Sequence, residues 1–313
     1  MREAPTASRE IRLGLLGAGR WGQRYIETVR GLSGTRLVAV SSRNPETAKR
    51  VPDGCRVEAD WRAVVTDADV DAVIVATPPA LHASMALAAI DAKKPVLVEK
   101  PMTLALADAQ EIEVKARDRG AVVMVGHTQL FNAAFRRMKR ALPDIGPVRR
   151  IVSSSGNWGP FRAEVSALWD YAPHDVAMCI DLLEATPARV TAKREVHEKV
   201  EGGYGDRYLI TLAFPRNITA EIRTGNLLRP KRRWLEVQGE KGALYFDDLA
   251  DDKLVHRAGK KEVALPYDAE RPLTTEVREF VSAARFGHAD TTSVQLGREV
   301  VDVLAKCEAQ LGG

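Results

Sequence analysis

Cysteine is scarce in this chain. Cys55, Cys179 and Cys307 are the only three in 313 residues, too few and too scattered for a disulfide framework or a metal site. No metal is therefore expected. Long apolar runs are missing as well, and none approaches the roughly 18 residues that a membrane span needs. Residues 1–10 are polar and mixed in charge, without the apolar core of a signal peptide. They are read as a short disordered tail, and the chain as a cytoplasmic protein with no membrane partner. Charge of one sign is not in excess either: 46 Lys and Arg against 42 Asp and Glu leave a net +4. That permits an anionic ligand without pointing to nucleic acid.

What is present has the proportions of a globular protein, with 45% hydrophobic and 28% charged residues. The length suits two domains, each with its own core.

The first 126 residues alternate strand and helix patterns. Ile11 to Leu16 reads as a buried strand, followed by Gly17-Ala18-Gly19-Arg20-Trp21-Gly22 and a helical stretch to about Arg30. Strand, G-x-G-x-x-G and helix in that order make a dinucleotide-binding fingerprint. Gly17 permits the tight turn, Gly19 lets the backbone approach a pyrophosphate, and Gly22 permits close packing of helix on strand. A second strand, Leu37 to Val40, ends in Ser42 and Arg43. A carboxylate at this point would read the ribose hydroxyls of NAD; a hydroxyl and a guanidinium suit the 2′-phosphate of NADP. NADP is the expected cofactor, with NAD the weaker reading. The alternative for Arg43 is that it caps the neighbouring helix or faces water.

A third strand, Ala72 to Ala76, runs into Thr77-Pro78-Pro79 and then His82. His82 reads either as a neighbour of the nicotinamide or ribose, or as a helix-start histidine with a structural hydrogen bond. The fourth strand, Val96-Leu97-Val98-Glu99-Lys100-Pro101, ends abruptly in charge. The tail of a parallel strand is where open α/β sheets place ligands, which makes Lys100 a candidate for chemistry. A helix from about Leu106 to Arg119 and a fifth strand, Val122 to Val125, complete the pattern, which implies a parallel sheet with right-handed crossovers.

With these motifs in hand, and with Val125-Gly126-His127 leading to Phe131-Asn132, the chain resembles the Gfo/Idh/MocA oxidoreductases. The likeness covers nearly its whole length. It implies an N-terminal Rossmann domain with a doubly wound parallel sheet, and a C-terminal α+β domain on a large, mostly antiparallel open sheet. The expected boundaries are a tail at 1–10, the NAD(P)-binding domain at 11–126, a substrate and oligomerisation domain at 127–290, and a C-terminal helix at 291–313 packing back on the Rossmann domain. In the resembled family the open sheet face commonly mediates dimerisation, so a homodimer or homotetramer is expected.

Beyond Gly126 a helix from about Ala133 to Leu142 precedes strands with period-two alternation: Val148–Ser155, Val190–Val196, Tyr208–Phe214, Thr219–Thr224, Trp234–Gln238 and Ala243–Phe246. Between the first two lies Trp169-Asp170-Tyr171-Ala172-Pro173-His174-Asp175. Asp170 and His174 are four apart, so on a helix or its lead-in turn they share a side. Pro173 suits a helix start, which would put His174 in the first turn and let Asp175 partly cap it. A structural histidine bonded to Asp175 is the alternative. The resemblance implies instead that Asp170 and His174, with Lys100, form the catalytic group. It also carries the cofactor contacts onto Gly17, Ala18, Gly19, Arg20, Trp21, Gly22, Ser42, Arg43, Thr77, Pro78, His82, Glu99 and Lys100. The substrate contacts fall on Lys100, His127, Trp158, Arg162, Asp170 and His174.

Asn157 to Arg162 reads as a loop offering an aromatic for a sugar face and an arginine for an anion. The basic run Arg229, Lys231, Arg232 and Arg233 could bind nucleic acid or a phosphorylated substrate, but reads better as a solvated loop before a strand. The last segments, Thr274 to Phe286 and Val294 to Leu311, read as amphipathic helices. The function expected is hydride transfer between a nicotinamide and a secondary alcohol or ketone of a sugar, inositol or nucleotide sugar. Two competitors are a non-catalytic NAD(P)-binding regulator of the same fold and a glycosidase-type enzyme that retains its NAD(P).

Overall fold

The computed structural model describes residues 9–161, 165–287 and 291–312. The chain forms two compact units. One comprises Met1–Gly126 with Leu273–Arg298; the other comprises His127–Pro272 with Glu299–Gly313.

The first unit carries β1 (Ile11–Leu16), α1 (Arg20–Arg30), β2 (Thr35–Ser41), β3 (Arg56–Glu58), α2 (Trp61–Thr66), β4 (Ala72–Val75), α3 (His82–Asp91), β5 (Val96–Glu99), α4 (Leu106–Arg119) and β6 (Val123–Gly126). Its six strands run parallel in the order β3-β2-β1-β4-β5-β6. The order reverses between β1 and β4, which in such sheets opens the crevice where ligands bind. Short runs such as Ala-Val-Ile-Val and Val-Leu-Val-Glu become interior strands because parallel sheets bury both faces. Leu13, Leu15, Ile74 and Leu97 are wholly inaccessible, each side chain contributing about 1.5–3 kcal/mol of apolar burial. The short β3 and α2 were not expected; three and six residues are too few to show a period.

The second unit carries α5 (Ala133–Ala141), β7 (Val148–Trp158), α6 (Ala167–Leu183), β8 (Arg189–Val200), β9 (Gly203–Phe214), β10 (Ile218–Gly225), β11 (Leu227–Gly239), β12 (Ala243–Asp247), β13 (Leu254–Ala258) and β14 (Lys261–Ala264). The eight strands lie in the order β14-β13-β12-β11-β7-β10-β9-β8. Only β10 with β7 is parallel; the other neighbours are antiparallel. Inward residues such as Ile151, Ile210, Leu212, Ile222 and Leu235 are fully buried, and α6 packs over β7, β9 and β10.

Two expectations about this unit need correction. The basic run Arg229–Arg233 lies within β11, which begins at Leu227. Leu227 and Leu228 are buried and anchor it, and Arg232 and Arg233 pair with Gly156 and Ser155 of β7. Pro173 does not start a helix: α6 begins at Ala167 with Ser166 at its N-cap, and the proline is interior. Proline removes one intrahelical bond, but the helix also buries Ala167, Leu168, Trp169, Ala172 and Val176, and that packing carries it through. Asp175 is accordingly mid-helix and caps nothing.

The C-terminal helices are α7 (Pro272–Phe286) and α8 (Thr291–Leu311). Their assignment differs from the expected return of 291–313 alone. Leu273–Arg298 groups with the first unit: Val277 and Phe280 are inaccessible, the Val125 N–H donates to Ser293 Oγ at 3.2 Å, and Arg298 pairs with Glu113 at 3.1 Å. From Glu299 onward α8 belongs to the second unit, where Trp169 Nε1 donates to Glu308 Oε1 at 2.9 Å.

Candidate active site

In the first unit the chain leaves β1 through Gly17, whose φ is +96°. A Cβ there would stand 2.8 Å from the Ala76 carbonyl oxygen just beyond β4. Gly22 lies so close to the same turn that a Cβ would come within 2.1 Å of the Gly17 oxygen. These two glycines are fixed by the protein's own packing. Gly19 is different. Its φ is an ordinary −68° and a Cβ would meet nothing within 4 Å. Gly19 is also the N-cap of α1, no side chain caps that end and no acid stands in the first turn. The first N–H groups of a helix lack intrahelical acceptors and, with the dipole, attract an anion. Open space and free donors at one helix start fit a pyrophosphate. Arg20 is exposed and Trp21 half-buried there, with the Arg24 guanidinium 5.1 Å from the Trp21 ring. The Ala18 carbonyl is taken by Gln23 Nε2 at 3.0 Å.

At the end of β2, Ser42 Oγ lies 2.7 Å from Thr47 Oγ1 and accepts the Asn44 N–H at 3.2 Å. Its hydroxyl shapes the turn. Arg43 is exposed and makes no ion pair among the described residues; the cap of the following short helix is Asn44, not Arg43. That leaves one exposed guanidinium two residues past the end of β2.

Thr77 and Pro78 follow β4, and the Thr77 hydroxyl contacts Met85 Sδ at 3.4 Å. His82 is inaccessible, with Nδ1 2.9 Å from the Pro101 carbonyl oxygen and Nε2 2.9 Å from that of Thr77. Burial lowers its pKa. The ring ties together the two loops after β4 and β5, as the structural reading of a helix-start histidine requires. Glu99 is held from inside in a similar way. It is 4% exposed, receives the Tyr25 hydroxyl at 2.8 Å, and accepts the Lys100 N–H on its other oxygen at 3.1 Å. Its carboxyl supports the strand end from inside. Lys100 itself is half-buried.

In the second unit Asp170 and His174 sit one turn apart on α6, both half-buried. A small pocket is lined by His174, Tyr171 and Asp175 of α6, Ser155 and Asn157 of β7, and Lys231 to Arg233 of β11. Asp170 is not in its lining. The Tyr171 hydroxyl lies 2.9 Å from Asn157 Oδ1 and 2.7 Å from the Gly159 oxygen, tying α6 to the end of β7. Asp175 is inaccessible and hydrogen-bonded by the Ser155 hydroxyl. Burial pushes its carboxyl up to about 6, with that hydroxyl and the Arg233 charge pulling it back. Arg233 is itself held by Asp248 at 3.0 Å. His127 is buried at 2% exposure, and it is Gln129, two residues on, that reaches the pocket. Trp158 is 43% exposed, with Arg229 stacked 3.9 Å from its ring and Phe161 edge-on at 5.8 Å. Arg162 lies outside the described residues.

Tyr171, Asp175, Gln129 and the β11 cations were not expected at a site. The basic run was visible, but only strand register directs it to this pocket. Among the described residues no cluster of His, Cys, Asp or Glu could hold a metal ion, and no helix is long and apolar enough to cross a membrane.

Comparison with known proteins agrees with this geometry. Residues 11–127 match the profile described as an oxidoreductase family with an NAD-binding Rossmann fold, and residues 135–245 match the GFO/IDH/MocA C-terminal domain. The inositol 2-dehydrogenase of Rhizobium meliloti is 30% identical over 75% of this chain and 74% of its own. The 4-carboxy-2-hydroxymuconate-6-semialdehyde dehydrogenase of a Sphingobium species is 26% identical over 96% of this chain and 99% of its own. A crystal structure from Magnetospirillum magnetotacticum, assigned as an oxidoreductase, superposes with a TM-score of 0.90 and 44% identity, covering 96% of this chain and all of that one. The fingerprint turn, the Lys100 strand end and these matches lead to one conclusion: the chain belongs to the Gfo/Idh/MocA family of NAD(P)-dependent oxidoreductases.

Proposed function

We propose that the protein interconverts a secondary alcohol and a ketone on a sugar, inositol or nucleotide sugar, with NADP preferred over NAD. The observation that carries this reading is the strand end at Lys100, a half-buried cation at the C-terminal tip of a parallel strand beside an intact fingerprint. The name of the Rhizobium meliloti relative supports a cyclic polyol, and the exposed Arg43 supports NADP.

NAD(P), when bound on the Gly17–Gly22 turn, supplies the hydride acceptor or donor. The remaining roles fall to the chain. His174 takes the hydroxyl proton in the oxidative direction and returns it in the reductive one, because an imidazole titrates near neutrality. The Lys100 ammonium stabilises the developing alkoxide charge, the kind of preorganised electrostatic contribution that often dominates catalysis. Asp170, one turn before His174, accepts hydrogen bonds from substrate hydroxyls and fixes their orientation. Trp158, backed by Arg229, offers a flat face to a sugar ring. The open face of the eight-stranded sheet is proposed to join copies of the chain into a dimer or tetramer.

The test is a dehydrogenase screen over sugars, inositols, sugar acids and nucleotide sugars, with NAD and NADP in parallel. Turnover of at least one polyol, faster per KM with NADP and abolished in Lys100→Met while NADPH still binds, is the expected result. An active Lys100→Met variant would overturn the assignment of Lys100. Tight cofactor binding without turnover of any member would favour a regulator.

A further inference from the structure

A group of buried ionisable side chains beneath Lys100 has no part in the chemistry above. Tyr25 of α1 is 1% exposed, Glu99 of β5 is 4% exposed and Glu276 of α7 is inaccessible. The Tyr25 hydroxyl lies 2.8 Å from Glu99 Oε1 and 3.0 Å from Glu276 Oε1. A phenol has one proton to give, and an ionised carboxylate only accepts. With both carboxyls ionised, one of these two short contacts would be oxygen against oxygen with no hydrogen between. Such a contact is strongly unfavourable away from water. The missing hydrogen is not supplied by rearranging the tyrosine, and burial between two carboxyls holds its own proton on firmly. It has to come from a carboxyl.

We infer that Glu99, Tyr25 and Glu276 form a buried carboxyl pair sharing one extra proton through the tyrosine hydroxyl, and that Glu276 is thereby a positioning residue for Lys100. Burial pushes the Glu99 carboxyl up, with the Lys100 charge and the hydrogen bonds from Tyr25 and the Lys100 N–H pulling it back. One carboxyl of the pair donates to the tyrosine oxygen while the tyrosine donates to the other. The chain of bonds runs from α7 through α1 to the last residue of β5 and ends on the backbone of Lys100. Gly126 leaves the space for it: a Cβ there would meet Glu99 Cα at 3.2 Å and Glu276 Oε1 at 3.4 Å. The cluster thus keeps a single negative charge under a cation, in place of two charges that would repel each other.

The functional half of this inference rests on the proposed role of Lys100; the proton count does not. Infrared spectra of the full chain in H2O and D2O at about pH 8, above the value of about 6 held by Asp175, should show a protonated-carboxyl stretch that shifts in D2O. Glu276→Gln should remove it, because the amide donates to Tyr25 without an added proton, and Glu99→Gln should remove it for the same reason. Absence of the band in the unaltered protein, or unchanged amplitude in both variants, would overturn the shared proton. Glu276→Ala should lower kcat roughly 10–100-fold through displacement of Lys100, with NADPH binding retained, and Glu276→Gln should recover most of the loss. Full kcat in Glu276→Ala would overturn the positioning role, and the infrared result on Glu276→Gln decides the matter if the alanine variant does not fold. Lys100→Met should keep the band. If that variant turned over substrate, the proposed role of Lys100 would fall while the carboxyl pair stood.

Discussion

In the six-stranded sheet of the first unit, β4, β5 and β6 are buried at every residue. In the second unit's sheet, β9 and β10 alternate buried with accessible positions. Accessible positions there carry ion pairs such as Arg150–Glu221 at 2.6 Å, Arg207–Glu195 at 3.1 Å and Arg257–Glu236 at 2.8 Å, each worth little alone. The two sheets also present their candidate residues differently. The parallel sheet presents loops at its strand ends: the glycine turn after β1, Arg43 after β2, Lys100 after β5. The antiparallel sheet presents a helix face, with Asp170, Tyr171 and His174 on α6, backed by Ser155 and Asn157 of β7. A parallel sheet converges its C-terminal ends on one crevice, whereas an antiparallel sheet sends half its ends away and has to borrow a helix.

This contrast can be broken most severely in the first unit. Gly22→Ala drives a Cβ into a backbone oxygen 2.1 Å away, and a loss above about 4 kcal/mol is expected from that mechanism, read by thermal unfolding. Gly19→Ala, with open space around it, should unfold within a degree or two of the unaltered protein (a few tenths of a kcal/mol) and lose NADPH affinity instead. Equal stability losses at Gly22 and Gly19 would dissolve the distinction between packing glycine and ligand glycine.

The second unit should separate chemistry from stability. His174→Ala is expected to cut kcat roughly 10²–10⁴-fold with little change in NADPH binding, measured in the steady state with any substrate found in the screen. A loss confined to KM would move His174 from proton transfer to substrate binding.

Next in size is a pH effect on the second unit alone. The Asp175 carboxyl has an ordinary value of 3.8 and a folded value of about 6. Folding therefore favours its protonated form, and that contribution is complete below 3.8 and lost as pH rises through 6. Relative to Asp175→Asn, whose amide oxygen still accepts from Ser155, the unaltered protein should lose about 3 kcal/mol across that window. Urea unfolding of both proteins between about pH 3.5 and pH 7 checks it. A constant difference across the range would mean that Asp175 is solvated in a way its burial denies.

The smallest effect returns to the first unit. Arg43→Ala should weaken NADPH binding by about 1 kcal/mol, the order of one exposed charge contact, and leave NADH unchanged. A loss shared equally by both cofactors would remove the case for NADP preference.

Local order determined much of this protein from sequence alone. Short apolar runs alternating with helical patterns read as interior strands of a parallel sheet, and G-x-G-x-x-G between strand and helix reads as a dinucleotide fingerprint. The 106–119 helix, the Lys100 strand end and the Asp170/His174 spacing were legible for the same reason: each depends on neighbours a few residues away. Tertiary structure decided the rest. No periodicity brings Glu276, 251 residues from Tyr25, to its hydroxyl, or turns His82 and Glu99 inward as supports. The basic run at 229–233 looked like a loop because four cations around a proline mimic a solvated segment; register with β7 makes it strand. Pro173 lies inside α6 because burial outweighed a single missing hydrogen bond. Short-range geometry placed the strand end that carries Lys100, and only long-range packing revealed what lies beneath it.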